Sequence, residues 1–167
     1  MPMKKETSAN LIGARHVGLI VSDINLSVKF YESIGFISEN LALEESGELA
    51  EALVGVPECI YKTVKMHLQS DDFTLWRESG FRLELVEYIQ PKLVVSKTFE
   101  NNILGKVHLC FTVQDLQLAI DTVIKNGGFA PFKATTNLAG NTKYIYVFDP
   151  DKNPLELAEG QITRSTK

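Results

Sequence analysis

Cysteine is scarce in this chain: Cys59 and Cys110 are the only two in 167 residues, they lie far apart, and they form no motif. That argues against a disulfide-stapled secreted scaffold and makes a reducing, cytoplasmic setting the expectation. Positive charge is in short supply too, with 17 Lys and Arg against 21 Asp and Glu and a formal net charge of −4. Phosphate backbones are held by basic faces, so a nucleic-acid partner is not expected. No apolar run is long enough to span a bilayer, so no membrane partner is expected. Lys4 and Lys5 are followed by polar residues rather than an apolar core, unlike a signal peptide. What remains is the make-up of a globular protein, of a length that suits one compact domain or two small, intimate modules.

What the chain does have is a repeat. Residues 14–36 read ARHVGLIVSDINLSVKFYESIGF and residues 106–129 read KVHLCFTVQDLQLAIDTVIKNGGF. His16 aligns with His108, Asp23 with Asp115 and Leu26 with Leu118 at one constant offset. A second echo follows each copy, RLELVEY at 82–88 and PLELAEG at 154–160, aligning Glu84 with Glu156 and Glu87 with Glu159. Each copy therefore carries a His near its start and a Glu near its end.

The pattern within a copy is strand, helix, then further strands. Apolar, partly β-branched residues at 14–21 read as a strand, and Ile24, Val28, Tyr31 and Ile34 recur at helical spacing. Asn25 or Ser22 is the expected helix cap, and Gly35 the stop. Strands are expected from 36, at 62–69 and at 81–88. The second copy repeats the order, with a strand at 106–113, a helix at 115–126 ended by Gly127-Gly128, a short strand near 129–134, and strands at 142–148 and 154–158. The domain reading is an arm at 1–12, a first βαβββ module at 13–100, a second at 101–160, and a tail at 161–167. The first module is the longer, and most of the surplus is an acidic, helix-patterned insert at about 40–60, either a pocket wall or lid, or a surface ornament.

Strand alternation places the repeated residues. Val17, Leu19 and Val21 share the face that packs on a helix, as do Val107, Leu109, Phe111 and Val113, and Leu83, Leu85, Leu155 and Leu157. His16, His108, Glu84 and Glu156 take the opposite face, together with Cys110. Glu87 and Glu159 have the other parity, which suits a surface role. The expected fold class is therefore α+β, two tandem βαβββ modules curled into an open half-barrel whose concave side gathers both His and both Glu. One such residue alone is more often an ordinary polar position; four, duplicated and on one face, point to a metal centre. Imidazoles with carboxylates suit a borderline divalent ion such as Zn, Ni, Fe, Mn or Co.

The segments HVGLIVSDINLSVKFYESIGF, RLELVEYIQP, KVHLCFTVQDL and FDPDKNPLELAE resemble the vicinal oxygen chelate superfamily of glyoxalase, bleomycin-resistance and extradiol-dioxygenase proteins, over about residues 14–160. The resemblance implies paired βαβββ modules and one divalent metal per site, with His16, Glu84, His108 and Glu156 as ligands. It also implies a small-molecule substrate chelated through neighbouring oxygens, and a homodimer, in some members with sites built from two subunits.

Three functions follow from that resemblance. In a glyoxalase-type lyase or isomerase the metal polarises a carbonyl while Glu84 or Glu156 moves a proton on the adjacent carbon. In an extradiol-type dioxygenase, non-haem iron would use two His and one carboxylate, with His67, Tyr144 or Tyr146 as acid–base. A non-catalytic antibiotic-binding or resistance protein is the third, though such members usually lack the ligands kept here. His67 is a candidate catalytic base, while Tyr144, Tyr146 and Cys110 are candidate substrate contacts. The four-ligand set favours the lyase or isomerase.

Overall fold

A computed structural model of the chain describes residues 15–68, 81–93, 99–136 and 142–160. The N-terminal arm, the tail and the segment carrying Gln69 and Trp76 lie outside these residues. The first half runs β1 (Val17–Ile20), α1 (Ile24–Ser33), β2 (Phe36–Ser38), β3 (Leu43–Ser46), α2 (Glu48–Val54), β4 (Ile60–Leu68) and β5 (Arg82–Gln90). The second runs β6 (Leu109–Val113), α3 (Leu116–Lys125), β7 (Thr135–Thr136), β8 (Lys143–Phe148) and β9 (Pro154–Glu159). Two open sheets result, β1-β5-β4-β2 with β3 also on β4, and β6-β9-β8-β7. Each begins with a parallel pair, β1 on β5 and β6 on β9, and continues antiparallel. This is the α+β, tandem βαβββ architecture expected from the repeat, with β3 added in the first half. No described helix is long and apolar enough to cross a membrane.

The two copies start their helices alike. Asp23 is the N-cap of α1, its Oδ1 accepting from the N–H groups of Asn25 (2.9 Å) and Leu26 (3.0 Å). Asp115 caps α3 by accepting from Leu118 N–H at 2.9 Å. This corrects the expected Asn25 or Ser22 cap: Asn25 supplies a donor, and Ser22 is bonded instead to Asp151. Glu87 and Glu159 explain their repetition here. Glu87 Oε2 accepts from Ile24 N–H (3.3 Å) and Glu159 Oε1 from Leu116 N–H (3.2 Å), so a carboxylate on the last strand holds the first N–H of each helix. After α1 the chain turns at Gly35, whose φ of +106° favours a residue without Cβ.

The helix-bearing faces of both sheets share one core, in which Phe30, Leu83, Leu85, Val123, Leu155 and Val147 are among the most enclosed residues. Gly128 permits the closest approach: a Cβ there would stand 2.6 Å from Phe148 O and 2.8 Å from Phe30 Cε2. Val107 departs from the expected alternation, since it precedes β6 and is exposed. The loop 149–153 fastens the halves. Ser22 N–H donates to Asp151 Oδ2 at 2.9 Å, Asn153 Nδ2 to Ile20 O at 3.3 Å, and the Tyr31 hydroxyl to Asp149 Oδ2 at 2.9 Å. Asp149 also receives the N–H groups of Asp151 and Asn153 and the Asn153 side chain. Those donors favour its charged form, yet full burial outweighs them and pushes its carboxyl up to about 6.

The insert is folded onto the face of the first sheet away from α1. Ala50 of α2, with Val54 and Val56, packs on Cys59, Tyr61, Val86 and Tyr88. Glu45 of β3 ties the patch together, accepting from the Tyr61 hydroxyl (3.1 Å) and the Thr63 hydroxyl (3.2 Å). Burial, then that bond, push the Tyr61 phenol up to about 12.

Candidate functional site

Each repeated His meets the Glu of its own half. His16 Nε2 lies 3.1 Å from Glu84 Oε2, and His108 Nε2 lies 3.3 Å from Glu156 Oε2. The repeat explains this local geometry. Gly18 is the cross-strand partner of Glu84, and Cys110 that of Glu156, so each His two residues earlier on the same face leans over the neighbouring strand's carboxylate.

Both pairs lie on the faces away from the shared core, as the alternation implies. Because the helix-bearing faces pack against each other, the two ligand faces are turned to different sides of the chain. The four residues therefore form two pairs, and among the described residues no group of three or more His, Cys, Asp or Glu stands close enough to hold a metal ion. The expected gathering of all four on one concave side is not present within a single chain.

Each pair is nonetheless built like half of a metal centre. With ligand bonds of about 2.0–2.2 Å, two adjacent donors on one ion stand roughly 3–3.5 Å apart, and both His–Glu separations fall in that range. The glutamates are about one-fifth exposed and the histidines more so, leaving the donors accessible. His16 and His108 immediately precede β1 and β6, which are edge strands of their sheets among the described residues, so each half-centre lies beside a strand edge.

The surroundings of the pairs differ. Among the described residues, the groups paired across from Glu156, Cys110 and Tyr146, are uncharged. Tyr146, its cross-strand partner on β8, has its hydroxyl 3.4 Å from His108 Nε2 and its ring edge-on to the imidazole. Burial and the Glu156 carboxylate raise the Tyr146 phenol above its ordinary range, so it stays protonated at neutral pH. Cys110 is exposed. Local loss of water around the sulfur and the neighbouring Glu156 raise its pKa, which keeps it a thiol rather than a thiolate. Tyr144 is half-buried and pairs across to Ala158, one alternation step from Tyr146.

Around Glu84 the face is charged. Lys65 is its cross-strand partner, with Nζ 3.8 Å from Glu84 Oε1. His67 lies one alternation step further, its Nδ1 3.5 Å from Glu39 Oε1, and Arg82 Nε lies 3.0 Å from the same oxygen. Arg82 and Glu39 did not emerge from the repeat. Arg82 was accessible by parity, one step before Glu84 in RLELVEY, whereas Glu39 follows a three-residue strand too short to show a period.

A cavity of about 710 Å³ opens between the end of α1 and α3, with Phe36, Phe81, Phe111 and Leu118 in its walls. It includes Cys110 but neither His and neither Glu of the pairs, so its size does not make it the seat of the chemistry.

A family model described as the Glyoxalase/Bleomycin resistance protein/Dioxygenase superfamily matches residues 13–157. No curated protein matches the chain. Among solved structures, a glyoxalase family protein from Bacillus cereus superposes with a TM-score of 0.77 at 20% identity, covering 92% of this chain and 97% of that one. A fosfomycin resistance protein from Listeria monocytogenes, complexed with Mn(II) and sulfate, gives 0.53 at 17% identity over 92% and 96%. The trypanothione-dependent glyoxalase I of Leishmania major gives 0.56 at 20% identity over 86% and 84%. At these identities the likeness is one of fold.

Proposed function

Since the chain belongs to the glyoxalase/bleomycin resistance protein/dioxygenase superfamily, we propose that it is a metal-dependent lyase or isomerase whose centre is completed between two copies of the chain. His16 and Glu84 of one copy and His108 and Glu156 of the other would hold one divalent ion. The observation that carries this reading is the pair of equivalent His–Glu half-centres, each beside a strand that is an edge among the described residues, and not gathered into one group within the chain. Setting β1 of one copy beside β6 of the other would cover two exposed edges and unite the donors, and two-fold symmetry would make two such centres.

The bound ion supplies Lewis acidity toward the neighbouring oxygens of a small carbonyl substrate. The chain supplies the rest. A carboxylate of Glu84 or Glu156 takes a proton from the carbon beside the carbonyl and returns it, while the neutral Tyr146 phenol donates a hydrogen bond to a substrate oxygen. The α2 insert, folded onto the same face of the first sheet, would wall one end of the site. The superfamily includes enzymes of this metal-dependent kind, and the Mn(II) in the Listeria relative is compatible with the donor set.

The test is elemental analysis of protein purified anaerobically without chelator, alongside the His16→Ala/His108→Ala variant. Near-stoichiometric Zn, Ni, Mn or Co that the variant loses supports the reading. Iron lost likewise replaces it with the dioxygenase. No metal after reconstitution refutes it and leaves a binding protein.

A further inference from the structure

We propose that Lys65 is a specificity residue that recruits a carboxylate or phosphate-type oxyanion on the substrate, and that it is parked on Glu84 until a metal ion binds. The inference rests on the metal centre proposed above. The two oxygens of Glu84 are divided: Oε2 faces the His16 imidazole at 3.1 Å and Oε1 faces the Lys65 ammonium at 3.8 Å. A divalent ion on Glu84 would neutralise the carboxylate that holds Lys65. The ammonium, on a side chain 55% exposed, is then left beside a second positive charge with its counter-ion spent.

A second described cation on this face keeps its partner. Arg82 is held by Glu39 at 3.0 Å, and Glu39 is not in either His–Glu pair. The next acid beside β4, Glu45 of β3, is engaged by Tyr61 and Thr63 toward the far end of that strand. Lys65 also has no charged equivalent in the second half, where the residue paired across from the glutamate is Tyr146. The completed centre is thus lopsided, cationic on the first-half side and neutral on the second. An ammonium on a flexible stem is a point charge with three donors, suited to one end of a small anion whose other oxygens reach the metal.

The experiment titrates acetate and inorganic phosphate separately into Co(II)-loaded protein, read by visible absorption and calorimetry, for wild type, Lys65→Met and Lys65→Arg. One of the two anions should bind loaded wild type, about tenfold or more tightly than it binds either metal-free wild type or loaded Lys65→Met, and Lys65→Arg should recover part of the loss. Co(II) itself should bind Lys65→Met at least as tightly as wild type, because a competing cation is gone. Which anion binds separates a carboxylate from a phosphate-type substrate. Equal anion affinity in wild type and Lys65→Met, or no binding of either anion to loaded wild type, overturns the role of Lys65 and leaves the metal centre standing. Failure of wild type to take up Co(II) overturns both. Lys65→Gln, checked by thermal melting, substitutes if Lys65→Met does not fold.

Discussion

A centre shared between two copies makes a quantitative prediction that a centre within one chain does not. Take one variant with the first half-centre removed, His16→Ala/Glu84→Ala, and a second with the other removed, His108→Ala/Glu156→Ala. Each alone has no complete centre under either arrangement. If the variants are mixed and the subunits allowed to exchange, random pairing makes about half of the dimers mixed. A mixed dimer joins the intact first half-centre of one copy to the intact second half-centre of the other, and puts both damaged halves together in its second centre. Half of the centres in half of the dimers are whole, so metal content and activity should recover to about a quarter of the wild-type value. The readout is metal per chain after gel filtration, with turnover beside it. A mixture of His16→Ala and Glu84→Ala is the control, because both lesions fall in the same half and every centre stays broken. A blank result from the complementary mixture, with subunit exchange shown by mass labelling, would refute the shared centre, as would recovery in the control.

Four further outcomes follow. Tyr31→Phe removes a buried donor from Asp149 and should cost about 1–3 kcal/mol in urea denaturation, with little change in metal uptake. The Asp149 carboxyl is raised from 3.8 to about 6 in the folded protein, so the folded state holds the extra proton between those values. Its contribution favours folding below about pH 4 and is lost as pH rises toward 6, on the order of 3 kcal/mol. The stability of wild type relative to Asp149→Asn should therefore fall across that window, and a level difference would show the carboxyl is not raised. Gly128→Ala drives a methyl to 2.6 Å from the Phe148 carbonyl oxygen, which cannot swing aside, and should lose about 1–3 kcal/mol by the same assay. Glu87→Ala frees the first N–H of α1 and should cost about 0.3–1 kcal/mol, less at high salt.

Much of this frame could be read from the chain because two copies of one unit constrain each other. Alternation in LELVE and LELAE put Leu83, Leu85, Leu155 and Leu157 in the core and turned Glu84 and Glu156 away from it, which is how they stand. Other features were not legible. The cap went to Asp23 because Ser22 is claimed by Asp151, a contact across more than a hundred residues that no local pattern reports. The relation between the halves was also hidden, since alternation assigns a face to each strand but says nothing of what that face meets. The helix faces meet one another, and so the His–Glu pairs are separated within one chain. Strand β3 escaped because LEES has no apolar alternation; its place depends on Glu45 reaching Tyr61 and Thr63. Glu87 and Glu159 were visible as a repeat, but their task became clear only once Ile24 and Leu116 stood beneath them.

The lock between the halves bears on how the gene could have diverged and how it can be rebuilt. Loop 149–153 belongs wholly to the second copy, and the groups it grips, Tyr31, Ser22 and the Ile20 carbonyl, belong wholly to the first. At the place of Tyr31 the second copy has Val123, which offers no hydroxyl. The duplicated units have thus stopped being interchangeable. A molecule assembled from two second halves would bury Asp149 without its phenol, whereas a circular permutant opened in the connector between β5 and β6 would retain every strut of the joint. A rearrangement that keeps one copy of each half keeps these struts, and one that swaps halves loses them.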